Sequence, residues 1–220
     1  MENIGYVTLS HQLALSKKMD TVANNIANMS TTGYKSQHMM MMEKVSKADR
    51  AAPLSMVMDY GQFTSTAQGA LTLTGNQTDV AIQGTGFFAV QTPDGGIKYT
   101  RNGHFHLNQQ RQLVSSEGMP VMSDGNAPIV IPAGANKITI SSAGEISTEN
   151  GAAGTLKVAH FENAQAMTSV GSNLWETDQV EVPGNGNTEV KQGMVEQSNV
   201  NPMLEMTQMI DVHRKYEAAM

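Results

Sequence analysis

The feature that most constrains this 220-residue chain is a narrow helical stripe at each end, bracketing a centre whose apolar residues recur at every second position. In the first segment Ile4, Thr8, His11, Leu15, Met19, Val22 and Ile26 fall three or four residues apart, with Gln12, Lys17 and Asp20 opposite. This spacing lines one narrow helix face, nearer to a coiled-coil seam than to the broad stripe of a globular helix. So thin a stripe buries too little to offset the entropy of ordering a lone helix, so the pattern predicts a partner helix. It stops at Ser30-Thr31-Thr32-Gly33, where hydroxyl residues and a glycine end a helix naturally. At the other end Met203, Met206, Ile210, His213, Glu217 and Met220 repeat the spacing behind Asn201, an N-cap, and Pro202 at the first helical position.

Between Asp79 and Val182 the period changes to two. Val80, Ile82, Phe88 and Val90 predict strands, and Pro93-Asp94-Gly95-Gly96 is a turn that sends Ile97 to Thr100 back as a hairpin. Further short alternating runs, separated by glycines from Gly118 to Gly154, predict a small antiparallel β domain. Residues 34–75 hold no sustained period; they contain His38 followed by Met39 to Met42 and read as a connector ordered by its neighbours. The expected architecture is therefore α+β: an N-terminal helix in 1–33, an extended connector in 34–75, a β domain in 76–185 and a C-terminal helix in 186–220.

Composition narrows the function. With 14 basic against 20 acidic residues, a net charge of −6, the chain lacks the basic stripe a general nucleic-acid binder needs. The absence of cysteine excludes thiol nucleophiles and Cys-ligated zinc. No apolar run predicts membrane insertion, and no basic segment followed by an apolar core predicts a cleaved secretory signal. Gly84-Thr85-Gly86-Phe87-Phe88-Ala89 fits a dinucleotide fingerprint, but a strand follows it where pyrophosphate binding requires a helix, so a turn or bulge is the better reading. His104 and His106 share one strand face without a convincing third metal ligand, and read as surface or packing histidines. His38 with Met39 to Met42 could form a soft copper site, but a conformable packing segment suits these residues better. No cofactor is expected, and no motif argues for catalysis. The amides of Asn24, Asn25 and Asn28 sit on a helix that Asn does not favour. They either bond locally at a fraying end or bond across to neighbouring segments and fix register; the residues alone leave both readings open.

Those residues also carry a resemblance. Ala23 to Lys35 (ANNIANMSTTGYK) resembles the N-terminal signature of the bacterial flagellar basal-body rod and hook proteins. Asp79 to Phe88, Tyr99 to Gly103 and Gly118 to Val121 resemble the β domain of that family, and Gln197 to Pro202 with Met206 to Tyr216 resembles its C-terminal motif. The blocks occur in the family's order and cover most of the chain. Compact size and a single β domain look most like the F-type, proximal branch of rod proteins, with the G-type, distal branch as the alternative. The family's last helix continues past the position of Met220, so the resemblance raises the expectation of an incomplete C-terminal segment.

The resemblance implies terminal helices pairing as an inner coiled coil with the β domain outside. It implies a structural rod subunit rather than an enzyme, exported through the flagellar type III apparatus without a cleaved signal. Copies of itself and other rod subunits would be its partners in the periplasm-crossing shaft. The expected subunit-packing residues are Ile4, Leu15, Val22, Asn24, Asn25, Ile26, Asn28, Asn199, Asn201, Met203, Met206 and Ile210. The rival readings are a cell-wall hydrolase using His104, His106 and a carboxylate, and a glycan-binding β module stacking sugars on Trp175 and Tyr99.

Overall fold

The computed structural model describes residues 2–46, 54–135, 137–184 and 186–219, with the backbone alone for 2–4, 6, 43–46 and 54–60. The expectations on the Ile4 and Met220 side chains, and on the boundary at 185, lie outside the described residues. Along the chain run α1 (Glu2–Ala27), β1 (Gln37–Ser46), β2 (Leu54–Thr64), β3 (Leu71–Leu73), β4 (Val80–Gln83), β5 (Phe87–Gln91), β6 (Ile97–Thr100), β7 (His106–Leu107) and β8 (Leu113–Val114). Then follow β9 (Ile138–Ile140), β10 (Glu145–Thr148), β11 (Gly151–Thr155), β12 (Val158–Ala159), β13 (Thr168–Ser169), β14 (Leu174–Glu176), β15 (Glu189–Gln192), β16 (Met194–Glu196) and α2 (Pro202–Ala218). The paired strands are antiparallel, and the fold is α+β.

The chain divides into two compact units. The first comprises Met1–Met29, Lys35–Ser65 and Val200–Met220; the second comprises Ser30–Tyr34 and Thr66–Asn199. In the first unit α1 and α2 run antiparallel: Gln12 Nε2 donates to the Ala219 carbonyl at 2.7 Å, while Gln208 borders the same cavity as Lys18 and Asn25. Asn201 caps α2, its Oδ1 accepting from Met203 and Leu204 N–H at 3.2 and 3.3 Å. The stretch expected as a connector is instead a long hairpin, β1 pairing with β2 from Gln37↔Thr64 to Ser46↔Leu54, with a bulge where Met40 faces Gly61 and Met41 faces Asp59. A run of four methionines carries no alternation, so nothing local announces a strand there.

In the second unit a five-stranded sheet, ordered β12-β5-β6-β14-β13, has a core on each face of its central strand β5, while the edge strand β13 is exposed. Strand β5 divides its side chains between two cores, which is what its unbroken apolar sequence requires. Phe88 and Val90 join Val80, Ile82, Phe105 and Leu113; Phe87 and Ala89 join Tyr99, Met122 and Trp175. Phe88 meets Phe105 edge-on at 5.2 Å. The expected hairpin forms with register Gln91↔Ile97, turned where Thr92 N–H donates to Gly96 O at 2.9 Å. A Cβ on Gly103 would stand 1.6 Å from Val80 O, so only glycine lets these two backbones approach.

Candidate packing surfaces

α1 and α2 cover one face of each other and leave another bare. Ala14, Leu15, Thr21, Val22 and Asn25 are buried on α1, and Glu205 and Val212 on α2. Of the expected packing residues, Leu15, Val22 and Asn25 are thus already covered within the chain, Ile26 and Asn28 are half-buried, and Asn24 is exposed. Gln12, expected on the face opposite the α1 stripe, is half-buried and bonds to the end of α2. The second stripe behaves differently. Met203 is 75% exposed, Met206 46% and Ile210 54%, continued by exposed His213 and Glu217. The face of α2 that the chain covers is offset from it, running through Glu205 and Val212. Leu9 and Leu13 on α1 are also more than half exposed. Sequence reasoning passed over them, although two leucines four apart are themselves a helical stripe.

The asparagines divide between the two readings left open above. Asn28 Nδ2 donates to Asn24 O at 2.8 Å, a local helix-end bond. Asn25 bonds across: Nδ2 donates to Gln37 O at 2.8 Å and Oδ1 accepts from Gln37 N–H at 2.9 Å, docking the start of β1 on α1. Beside it lies a cavity of about 300 Å³ bordered by Lys18, Thr21, His38 and Gln208. His38 lies against Phe63, ring centroids 5.2 Å apart, while Met40, Met41 and Met42 are exposed along the hairpin.

In the second unit Asn199 Nδ2 donates to Ala67 O at 2.9 Å. Nearby, Glu196 Oε2 stands 3.3 Å from Arg101 Nη1, with both side chains nearly sealed from solvent. Glu196 Oε1 accepts from Gly69 N–H at 2.9 Å, and its backbone carbonyl accepts from Gly33 N–H at 2.7 Å. Arg101 Nη2 donates to Gly84 O at 2.8 Å, and its guanidinium lies 5.3 Å above Phe87. Burial pulls the Arg101 guanidinium below its usual value, against the opposing pull of the Glu196 charge. A Cβ on Gly33 would meet Asn102 N at 2.4 Å, and its φ of +71° is one that other residues rarely adopt. The glycine of the expected helix stop therefore also lets the post-helix loop sit against Arg101 and Asn102.

The rival sites fare unevenly. Trp175 and Tyr99 are 4% and 8% exposed within the aromatic core, so neither offers a face for a sugar; the stacking expectation is corrected because both rings fill the sheet's packing. Tyr99 OH donates to Glu181 Oε1 at 3.0 Å, and burial followed by that bond pushes its pKa up to about 12. Gly84 to Ala89 runs through positive-φ glycines straight into β5, with no helix to receive a pyrophosphate. His104 does meet a carboxylate, Nδ1 to Asp79 Oδ1 at 2.8 Å. Among the described residues no group of three or more His, Cys, Asp or Glu could hold a metal, and no helix is long and apolar enough to cross a membrane.

Comparison with known proteins bears on these surfaces. Residues 6–35 match the family described as flagella basal body rod protein, 81–148 the flagellar hook protein FlgE/F/G D1 domain, and 191–220 the flagellar basal body rod FlgEFG protein C-terminal region. The flagellar basal-body rod protein FlgF of Caulobacter vibrioides is 36% identical, the alignment covering 99% of this chain and 91% of the relative. FlgF of Mesorhizobium japonicum is 34% identical over 99% of this chain and 90% of its own length. FlgG of Buchnera aphidicola subsp. Acyrthosiphon pisum is 35% identical over 90% of this chain and 86% of its own.

Proposed function

Because the chain belongs to the flagellar basal-body rod protein family, we propose that it is a structural subunit of the rod in the flagellar basal body, the shaft that transmits torque to the hook. The observation that carries the reading is the bare stripe Met203, Met206 and Ile210, beside a covered face on the same helix. An apolar stripe of this kind is stabilised when another copy covers it, each side chain contributing roughly 1.5–3 kcal/mol on full burial. A contact between different patches whose rotation does not close grows into a helical tube. Leu9 and Leu13 supply a second patch on α1, and Met40 to Met42 a third on the hairpin. On this reading the antiparallel α1–α2 pair is one element of an inner coiled coil completed by neighbouring subunits. Leu15, Val22 and Asn25 act by holding the pair and hairpin together, while Met203, Met206 and Ile210 meet the neighbour.

The position is F-type, in the proximal rod; the full-length likeness to FlgF supports this over the G-type alternative. The subunit reaches the periplasm through the flagellar type III export apparatus without a cleaved signal, and its partners are copies of itself and other rod subunits. Ile210→Asp and Met206→Lys test the central claim. Both are expected to abolish polymerisation of the purified protein, read by electron microscopy, while the near-ultraviolet circular dichroism of Trp175 is unchanged. Normal filaments from Ile210→Asp would overturn it.

A further inference from the structure

His104 and His106 are exposed on either side of Phe105, which is 1% exposed in the β core, so both imidazoles stand on the outer face. The backbone is extended through both positions, His104 bridging to Asp79 and His106 pairing with Val114. Side chains two residues apart on a strand start roughly 6.6 Å apart. Two imidazoles leaning together from that distance can reach one ion at about 2.0–2.1 Å from each nitrogen.

His104 is also held as metal-binding histidines are held. Its Nδ1 lies 2.8 Å from Oδ1 of Asp79, a residue only 1% exposed. The other oxygen, Oδ2, is fixed by Thr74 Oγ1 at 2.6 Å and Asn76 Nδ2 at 3.0 Å. A carboxylate so tethered makes Nδ1 the proton-bearing nitrogen and leaves the lone pair on Nε2. Nε2 of His104 and both ring nitrogens of His106 have no hydrogen-bond partner among the described residues. Asp79 also pins the 74–79 turn through Thr74 and Asn76, and a buried carboxylate that orients an exposed imidazole is the arrangement found behind metal-ligating histidines.

We propose that His104 and His106 form a solvent-facing chelate for a divalent transition metal, with Asp79 as the residue that positions His104. Two imidazoles and no thiolate favour copper(II), with nickel(II) and zinc(II) weaker, in the Irving–Williams order. Water fills the remaining coordination positions. The site does not depend on rod assembly, and stands or falls separately from it.

The test is titration of the full chain, stripped with a chelator, with copper(II) sulfate in a non-coordinating buffer near neutral pH, followed by calorimetry and electron paramagnetic resonance. One equivalent is expected to bind, with hyperfine structure from two imidazole nitrogens. His104→Ala and His106→Ala are each expected to weaken binding at least about tenfold, and Asp79→Asn by about 10- to 100-fold. His38→Ala and His11→Ala leave binding unchanged. Near-ultraviolet dichroism of Trp175 reports whether Asp79→Asn has folded. If it has not, His106→Ala decides alone, because that exposed side chain bonds to nothing in the described structure. Copper binding by His106→Ala as tight as by the parent, or no 1:1 binding at protein concentrations of roughly 0.1 mM, overturns the proposal.

Discussion

Glu196 ties together parts of the β domain that lie far apart in the chain, through Gly33, Gly69 and Arg101. Removing one member of a sealed ion pair strands the other charge in a medium that cannot solvate it. Glu196→Gln or Arg101→Met is therefore expected to cost about 3–5 kcal/mol, measured by urea denaturation with Trp175 fluorescence. Among the described residues Arg101 Nε has no hydrogen-bond partner, so without Glu196 the guanidinium keeps only backbone carbonyl acceptors such as Gly84 O and no countercharge. Tyr99 gives a pH dependence. Its pKa lies near 10 in the unfolded chain and about 12 when folded, so below pH 10 both states carry the proton and stability is unaffected by it. Between those two values the unfolded state loses the proton first, so stability falls as pH rises through this window. Tyr99→Phe is expected to flatten that part of the stability-against-pH curve; an unchanged slope would assign the loss to other groups.

Elements differ in how openly the sequence announced them. α1 and α2 were legible because a 3.6-residue period survives over many turns, and Asn201-Pro202 marks where the second begins. The β5–β6 hairpin was legible from its turn chemistry. The β1–β2 hairpin was not, because the four methionines of β1 do not alternate and the strand takes its order from α1 through Asn25. Two-residue strands such as β7, β8 and β12 exist only by pairing, so no local pattern could bound them. The Arg101–Glu196 pair spans 95 residues and left no local trace, whereas the bare stripe of α2 was written plainly in its spacing. What spacing could not tell was which face the chain would cover for itself. Asn25→Ala leaves both backbone groups of Gln37 without partners. It is expected to cost about 2 kcal/mol and to raise amide exchange along β1 before any change in the β domain.

The whole molecule is threaded so that its first unit needs both ends of the chain, while the second is formed from the interior. Deleting residues 200–220 is therefore expected to loosen α1 and the long hairpin, read by hydrogen exchange, with the Trp175 dichroism of the β domain preserved. Equal loss of both signals would mean that the units fold as one. The thioethers follow the same division. Met40, Met41, Met42, Met203 and Met206 stand open to solvent in the first unit, whereas Met119, Met122 and Met167 are sealed in the second. Dilute hydrogen peroxide should consequently write sulfoxide onto the helix and hairpin long before it reaches the sheet, and peptide mass spectrometry of the unassembled chain would read that order directly. A sulfoxide dipole is poorly accommodated in a dry contact, so peroxide exposure before polymerisation is a chemical footprint of the surfaces that neighbours must cover.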